Sequence, residues 1–266
     1  MKKQPAIMHL PILLSLLLVP FVSNGQALPE KKPYITTKRK IMMDLTDAGL
    51  SLKNGLYIRI FKHDRVLQIF VEKDGTYRLF KVYPICRYSG DLGPKKKQGD
   101  RQAPEGYYSI MKHHLNPNSD FYKAVNVGYP NEYDRSHHYT GSAIMIHGGC
   151  SSIGCFAMSD SIMMELYFIV AAGLQHQKVI PVHIFPFDMS DRNMEKFMNM
   201  KEDNDITNTI NSLPGKEIGY KYADCIGLWK TLKEGFDYFE KNRIPPKVNV
   251  VNGNYVIARL REKADE

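Results

Sequence analysis

Residues 143–158 read Ala-Ile-Met-Ile-His-Gly-Gly-Cys-Ser-Ser-Ile-Gly-Cys-Phe-Ala-Met, and they carry a histidine and a cysteine eight positions apart. The first four residues of this stretch form a continuous apolar run, which is typical of a buried strand. The strand delivers His147 at its end, and Cys155 comes just before a helix predicted to begin near Ser159. This order of strand, short loop and helix predicts that the imidazole and the thiol meet across the loop.

The predicted pair has the chemistry of a nucleophile and its base. A cysteine needs a base to become a thiolate at neutral pH, and the imidazole of His147 would supply it. The start of a helix close to Cys155 would lower the pKa of the thiol further. Gly148 and Gly154 allow sharp turns, so that backbone N–H groups around Gly154 and Cys155 would face a developing oxyanion. These residue types in this order favour acyl transfer through a thioester.

Other interpretations of the same residues stay open at this point. Cys155 could be a small buried apolar residue, or it could form a disulfide with Cys150. A third alternative is zinc held by His147, Cys150 and Cys155 together with His137 or His138. Zinc is disfavoured because structural sites usually contain two closely spaced cysteine pairs, and no second pair occurs in the sequence.

The charge of the chain bears on its partners. Lys and Arg number 36 against 28 Asp and Glu in 266 residues, a formal net charge of +8. This excess favours an acidic partner, which could be nucleic acid, an anionic membrane or an anionic cell-wall polymer. No block of five or six like charges occurs, and the densest run, residues 95–97, predicts a solvated loop. We therefore expect no nucleic-acid partner.

Residues 1–27 have the pattern of a secretory signal peptide. Lys2 and Lys3 precede a short apolar run at residues 10–22. Small residues that suit cleavage follow at Ser23, Gly25 and Ala27. The run is short for a transmembrane helix, which needs about 20 apolar residues, although an uncleaved anchor is an alternative. We expect export, with no stable membrane span after cleavage.

The N-terminal half of the exported chain is predicted to be rich in strands. Residues 28–53 have the composition of a linker leading into a helix or loop. Alternating apolar residues predict a strand at 56–61 and a hairpin at 67–83. Residues 84–104, rich in Gly, Pro and Lys, predict a long exposed loop. Residues 112–141 are polar and irregular, so they should lie on the surface or line a cleft.

The C-terminal half is predicted to add helices and a terminal hairpin. Helical spacing of apolar residues follows Ser159 and ends near Gly173, and residues 179–185 predict a buried strand. Residues 194–198 and 229–239 predict two helices, the second one amphipathic, before a hairpin at 248–257. The two cysteines outside the central stretch, Cys86 and Cys225, are predicted to be buried structural thiols, although an even number of cysteines also permits disulfides.

Several motifs carry a family resemblance. His147-Gly148 followed by Ser152-x-Gly154-Cys155 resembles the signature of the YkuD-type L,D-transpeptidases, exported cysteine enzymes that act on peptidoglycan. Four upstream segments are similar as well: Tyr83-Pro84-Ile85, residues 89–95, Gly99-Asp100 and residues 104–108. The resemblance covers roughly residues 54–188, and the tail at 226–257 looks like the YafK-like subgroup.

Two departures from the common family pattern point to the same subgroup. The histidine lies well over ten residues before the cysteine in most members, whereas here the separation is eight. Most members also have an arginine two residues after the cysteine, where this chain has Ala157. In the family this arginine is associated with recognition of the substrate carboxylate. Its replacement by Ala157 leaves open whether the thioester goes on to form a cross-link.

The resemblance implies an α+β, β-rich fold. Together with the residue patterns above, it divides the chain into a signal peptide at 1–27, a linker at 28–53, a β-sandwich catalytic domain at 54–188 and a small helical and hairpin extension at 189–266. Cys155 would be the nucleophile and His147 its general base, oriented by the backbone carbonyl of Gly148. Ser152 and Gly154 would shape the oxyanion loop, with no cofactor and no metal.

The implied activity is L,D-transpeptidation of peptidoglycan stem peptides in the periplasm, during biogenesis or remodelling of the cell wall. The thiolate would attack a carbonyl of the diamino acid, expected to be meso-diaminopimelate. An alternative is a peptidoglycan amide hydrolase of the same fold, which trims peptides or releases a wall-tethered protein. An alternative of another class is a non-catalytic module that binds the wall.

Overall fold

The computed structural model describes residues 32–200 and 222–258 of the chain. The predicted signal peptide lies outside the described residues. Within these two ranges, the helices are too short or too polar to cross a bilayer.

The described helices pack around two β-sheets. A short 3₁₀ turn at Lys112–His114 adds to them. The α-helices are α1 Lys32–Asp47, α2 Glu132–Ser136, α3 Asp160–Gly173, α4 Asp191–Met198 and α5 Tyr222–Asn242.

The larger strands form the first sheet, in the order β3-β2-β1-β10-β5. Its strands are β1 Leu56–Phe61, β2 Val66–Lys73, β3 Thr76–Pro84, β5 Gly106–Ile110 and β10 Ile180–Phe185. The second sheet has the order β4-β9-β8-β7-β6 and is built from short strands. These are β4 Arg87–Tyr88, β6 Leu115–Asn116, β7 Ala124–Asn126, β8 Met145–His147 and β9 Phe156–Ala157. A separate hairpin pairs β11 Lys247–Val251 with β12 Asn254–Ala258.

A single hydrophobic core joins the two sheets to α3. It contains Ile58 and Ile60 of the first sheet, Ile146 and Phe156 of the second, and Leu166 of α3, each of them fully buried. The β-rich α+β prediction is therefore confirmed, and so are the predicted hairpin between β2 and β3, the helix α3 and the buried strand β10. The core fixes the ends of β8 and β9, which are the strands that carry the site.

Strand β1 is buried along its whole length, although its sequence alternates. Its even-numbered side chains enter the main core, while Tyr57 on the opposite face packs with Phe70 and with Phe239 of α5. Arg59 on that face is 5% exposed, and its Nη1 lies 2.6 Å from Oε1 of Glu240. The C-terminal helix therefore covers the outer face of the first sheet and protects a second hydrophobic layer. The predicted helices and hairpin of this C-terminal part are present.

The segment 28–53, predicted to be a linker that leads into a helix or loop, contains helix α1 over most of its described length. Ile41 and Leu45, one helical turn apart, are 0% and 1% exposed and belong to the main core. The segment contains many lysines and arginines, but one side of the helix carries a narrow apolar stripe, and this stripe packs next to α3. The helix is therefore part of the packed fold.

The prediction of an exposed loop at 84–104 is wrong for much of its length. Lys95 is 4% exposed, and its ammonium pairs with Asp100 and donates to the carbonyl of Lys97. Lys62, fully buried, donates from Nζ to the carbonyls of Gly93 and Ala103 at 2.8 and 2.9 Å. The polar composition predicted that the loop is exposed to solvent. These partners inside the protein satisfy the polar groups, so that the loop can pack inward.

Candidate active site

The site lies where the second sheet brings the ends of two parallel strands together. In the register of β8 and β9, Ile146 pairs with Phe156 and His147 with Ala157. The loop 148–155 leaves β8 at His147 and returns immediately before β9. His147 and Cys155 consequently line one cleft of about 560 Å³. The structure thus brings together the two side chains that the sequence singled out.

The imidazole of His147 is buried and held in one orientation. Its Nδ1 lies 2.6 Å from the carbonyl oxygen of Gly148, to which it donates a hydrogen bond. The aromatic ring of Phe121 lies beside the imidazole, with 4.8 Å between ring centroids. Burial lowers the pKa of His147 below its usual 6.5, although the hydrogen bond to Gly148 opposes this effect. The ring is therefore neutral at pH 7, with Nε2 as its basic atom.

Cys155 is half-buried, and its sulfur has only weak partners. Sγ accepts the N–H of Met145 at 3.4 Å and lies 3.9 Å from the carbonyl oxygen of Ala143. Burial raises the pKa of the Cys155 thiol, while the Met145 N–H and the positive charge of Lys95 oppose the change. No hydrogen bond joins Cys155 to His147 within residues 32–200 and 222–258. The resting cysteine is a thiol that needs a base, and such contacts often tighten only when substrate binds.

The predicted effect of a helix start on Cys155 is absent. Helix α3 begins at Asp160, five residues after the cysteine, with strand β9 between them. The N-terminus of this helix is capped by Ser159, whose side chain accepts the N–H of Ile162. The expectation of a lowered thiol pKa is therefore wrong, since burial dominates and the helix lies too far along the chain.

Ser152 and Gly154 fix the turn that leads into Cys155. Ser152 Oγ donates to the carbonyl of Cys155 at 2.6 Å and accepts the N–H of Gly154 at 3.2 Å. Gly154 has φ +142°, a conformation that residues with side chains rarely adopt. The Gly154 N–H is thus already used, while the Cys155 N–H has no acceptor among the described residues. Of the two N–H groups proposed for an oxyanion, only that of Cys155 is available.

Gly148 is required by a close approach of backbone. Its N–H donates to the carbonyls of Phe121 and Lys123 at 3.0 and 3.2 Å. A Cβ at this position would lie 2.6 Å from Oδ1 of Asp160 and 3.0 Å from the Phe121 carbonyl oxygen. Asp160 also accepts the Gly149 N–H at 2.8 Å, so the first residue of α3 anchors the loop. Ser159 to Ser161 indicated only a helix start in the sequence, and this second function of Asp160 was missed.

A disulfide between Cys86 and Cys150 ties the loop to strand β4. Cys86 was predicted to be a buried thiol, with a disulfide as the alternative, and it is exposed and lies immediately before β4. Arg87 pairs with Ala157 across β4 and β9, and the Cys150 N–H donates to the Met158 carbonyl, which brings the two cysteines together. The alternative disulfide between Cys150 and Cys155 is excluded, since Cys155 is free.

The structure also bears on Cys225 and on the zinc alternative. Cys225 is a buried free thiol, as predicted. Cys150 cannot ligate zinc while it is oxidised. Within the described ranges, no group of three or more His, Cys, Asp or Glu side chains is arranged to hold a metal ion.

One wall of the cleft comes from the irregular segment between β6 and β7. Asn116 and residues 118–121 line the cleft, together with residues 151–153 of the loop 148–155. Phe121 is 52% exposed and Ile153 is 83% exposed, so the cleft has apolar edges. The sequence indicated a surface or cleft position for the segment, but no signal in it identified Phe121 as the neighbour of His147.

The chain is similar to a known protein family and to known proteins. Residues 55–184 match the YkuD family, described as the L,D-transpeptidase catalytic domain. The chain is 38% identical over 249 residues to the "Putative L,D-transpeptidase YafK" of Escherichia coli K12, which covers 93% of this chain and 89% of the relative. The protein of the same name from Escherichia coli O157:H7 gives the same values. Among solved structures, the helical cell shape determining protein Pgp2 of Campylobacter jejuni is 19% identical, with a TM-score of 0.41 and 80% of each chain covered.

Proposed function

Because the chain belongs to the YkuD family of L,D-transpeptidase catalytic domains, we propose that it is an exported cysteine acyltransferase acting on peptidoglycan stem peptides. One observation carries the proposal. A free thiol at Cys155 shares a cleft with the buried, neutral and oriented imidazole of His147. A non-catalytic wall-binding module would have no need of this combination.

The proposed reaction starts with a proton transfer inside the cleft. Nε2 of His147 takes the proton from Sγ of Cys155, and the sulfur attacks the carbonyl carbon of the diamino acid, expected to be meso-diaminopimelate. The Cys155 N–H stabilises the resulting oxyanion. When the intermediate collapses, His147 returns the proton to the leaving amine, and a thioester remains on Cys155.

The second half of the reaction decides between two activities. Attack on the thioester by the amine of another stem peptide completes a transpeptidation. Attack by water completes an amide hydrolysis, which would trim stem peptides or release a wall-tethered protein. Hydrolysis is a second candidate because Ala157 replaces the arginine that most members of the family have at this position, and no lysine or arginine is among the described residues that line the cleft.

We also propose that the enzyme works in the periplasm after cleavage of residues 1–27. The Cys86–Cys150 disulfide supports this location, because disulfides persist in exported proteins and are rare in the reducing cytosol. N-terminal sequencing of the protein isolated from periplasm should start between about residues 24 and 28, given the usual position of small residues at the cleavage site.

Product analysis tests the proposed function. Protein lacking residues 1–27 is incubated with purified sacculi, and the released and residual muropeptides are analysed by mass spectrometry, with the Cys155→Ala variant as control. New cross-links indicate transpeptidation, whereas shortened peptides or released protein indicate hydrolysis. Identical products from both proteins would contradict an enzymatic function on peptidoglycan.

A further inference from the structure

The charge of the catalytic cleft is unusual for a site that handles peptides with free carboxylates. Of the described residues that line it, Asp120 alone carries a charge at neutral pH, since His147 is neutral. Asp120 is exposed, and it forms no hydrogen bond or ion pair within residues 32–200 and 222–258. An unpaired carboxylate in a binding cleft favours a cationic group of the ligand.

Local contacts hold Asp120 in a defined place relative to the reacting atoms. Asp120 is the central residue of a turn in which the Ser119 hydroxyl accepts the Phe121 N–H at 3.1 Å. Phe121 in turn contacts the His147 ring and accepts the Gly148 N–H at 3.0 Å. The carboxylate is therefore attached, through one residue, to the backbone that positions the general base.

The apolar edges of the cleft complement this carboxylate. Phe121 and Ile153 expose 52% and 83% of their surface, although side chains of this kind are usually buried. Exposed apolar side chains next to polar groups mark binding surfaces. Together with Asp120 they suit an aliphatic chain that carries an ammonium group on its last carbon.

A substrate carboxylate has no comparable partner in the cleft. Ala157 stands at the position of the family's common arginine, is 0% exposed, and offers neither charge nor reach. Lys95 is the nearby cation that acts on Cys155, but it is buried and already paired with Asp100. Recognition through an ammonium group is thus the interaction that this cleft offers.

We propose that Asp120 is a specificity-determining residue that binds the free side-chain ammonium of the diamino acid, while the aliphatic chain lies against Phe121 and Ile153. This inference rests on the proposed function and sharpens it. The enzyme should prefer stem peptides whose side-chain amine is free, and it should discriminate against those in which the amine is already acylated or cross-linked.

The test compares two soluble substrates that differ at one nitrogen. One is a stem tetrapeptide containing meso-diaminopimelate, and the other is the same peptide with its side-chain amine acetylated. We measure kcat/KM for the protein without residues 1–27 and for its Asp120→Asn and Asp120→Glu variants. Asp74→Asn is the matched control, because it removes a carboxylate from the exposed turn between β2 and β3.

Asp120→Asn should lower kcat/KM about ten-fold on the free-amine peptide and less than two-fold on the acetylated one, as expected for loss of one charge-assisted hydrogen bond. Asp120→Glu should retain most of the preference, and Asp74→Asn should change neither value. A difference between the two substrates below about five-fold for Asp120→Asn would overturn the assignment. Inactivity of the unsubstituted protein on both peptides would instead overturn the proposed function, and this inference with it.

Discussion

The loop 89–105 and the loop 148–155 are both rich in glycine, and both carry motifs by which the chain resembles its family. In 89–105 the charged side chains of Lys95 and Glu105 are buried and paired: Lys95 pairs with Asp100, and Glu105 accepts from Lys62 and from the Trp229 indole, each at 2.9 Å. In 148–155 the reactive groups face a cleft, and Sγ of Cys155 has only weak partners. A family motif thus contains both residues that stabilise the fold and residues that are available for reaction. The first kind have their polar groups paired inside the protein, and the second kind do not.

The two loops also differ in what holds them. Loop 89–105 is fixed by the buried ion pair of Lys62 and Glu105, which connects it to β1 and, through Trp229, to α5. Loop 148–155 is fixed by the Cys86–Cys150 disulfide and by Asp160. The difference can be tested by cutting each attachment separately.

Cutting the disulfide should have the largest effect on stability. The bridge links cysteines 64 positions apart, so its removal in a Cys86→Ser/Cys150→Ser variant should lower the free energy of unfolding by about 4 kcal/mol. The same change should reduce kcat/KM without abolishing it, because Cys155 and His147 remain while their loop loosens. Urea unfolding and steady-state kinetics measure the two effects.

Cys225→Ala is the control for the loss of a cysteine that forms no bridge. It removes a buried thiol distant from the cleft and should leave kcat/KM unchanged. If the disulfide variant matched the unsubstituted protein in both stability and kcat/KM, the bridge would not be what holds the loop 148–155.

Breaking the ion pair should lower stability somewhat less. Glu105→Gln leaves the ammonium of Lys62 buried without its counter-charge, which should lower the free energy of unfolding by about 3 kcal/mol. Removing the charge as well, in Lys62→Met/Glu105→Gln, should restore at least half of the loss, because no uncompensated charge remains. Urea unfolding measures the free energy of unfolding of the two variants. A double variant less stable than the single one would contradict a structural role for the ion pair.

The smallest effect concerns pH. Burial lowers the pKa of His147 and raises that of Cys155. We therefore expect kcat/KM to fall on the acid side only below pH 6.5, and to stay high above pH 8.5, the usual pKa of a thiol. Iodoacetamide should label Cys155 at pH 7 no faster than it labels a small free thiol, with a rate that rises as pH approaches the raised pKa. Faster labelling than the free thiol at pH 7 would show a preformed thiolate.

The linkage to stability has a definite sign for each group. His147 has a folded-state pKa below its unfolded value, so it does not affect stability well above pH 6.5. It destabilises the fold as pH falls from 6.5 towards the lowered pKa, because the unfolded chain binds the proton first. Cys155 has a raised folded-state pKa and therefore destabilises the fold as pH rises above the usual thiol pKa.

Much of the fold followed from short-range patterns in the sequence. Alternating apolar residues indicated β1 and the hairpin of β2 and β3, and helical spacing after Ser159 indicated α3. The apolar run before His147 gave β8, and the parallel pairing of β8 with β9 then brought Cys155 to the same cleft. These features depend on neighbouring residues, which the sequence displays directly.

What the sequence did not reveal depends on residues distant along the chain. The pairing of Cys86 with Cys150 requires the adjacency of β4 and β9, and the burial of Lys95 requires its partner Asp100 inside a folded loop. The raised pKa of Cys155 reflects how closely the surrounding chain packs, whereas the sequence offered only a helix start nearby. Tertiary packing decided each of these features.

The central claim is that Cys155 carries the acyl group and that His147 activates it. Protein lacking residues 1–27 is mixed rapidly with the meso-diaminopimelate stem tetrapeptide, quenched in acid, and analysed by intact mass and by peptide mapping. We predict a thioester adduct on Cys155 that is absent from Cys155→Ala and that forms at least about a hundred-fold more slowly in His147→Gln, as expected for loss of the general base. Turnover that persists in Cys155→Ala, or an adduct on any other residue, would contradict the account.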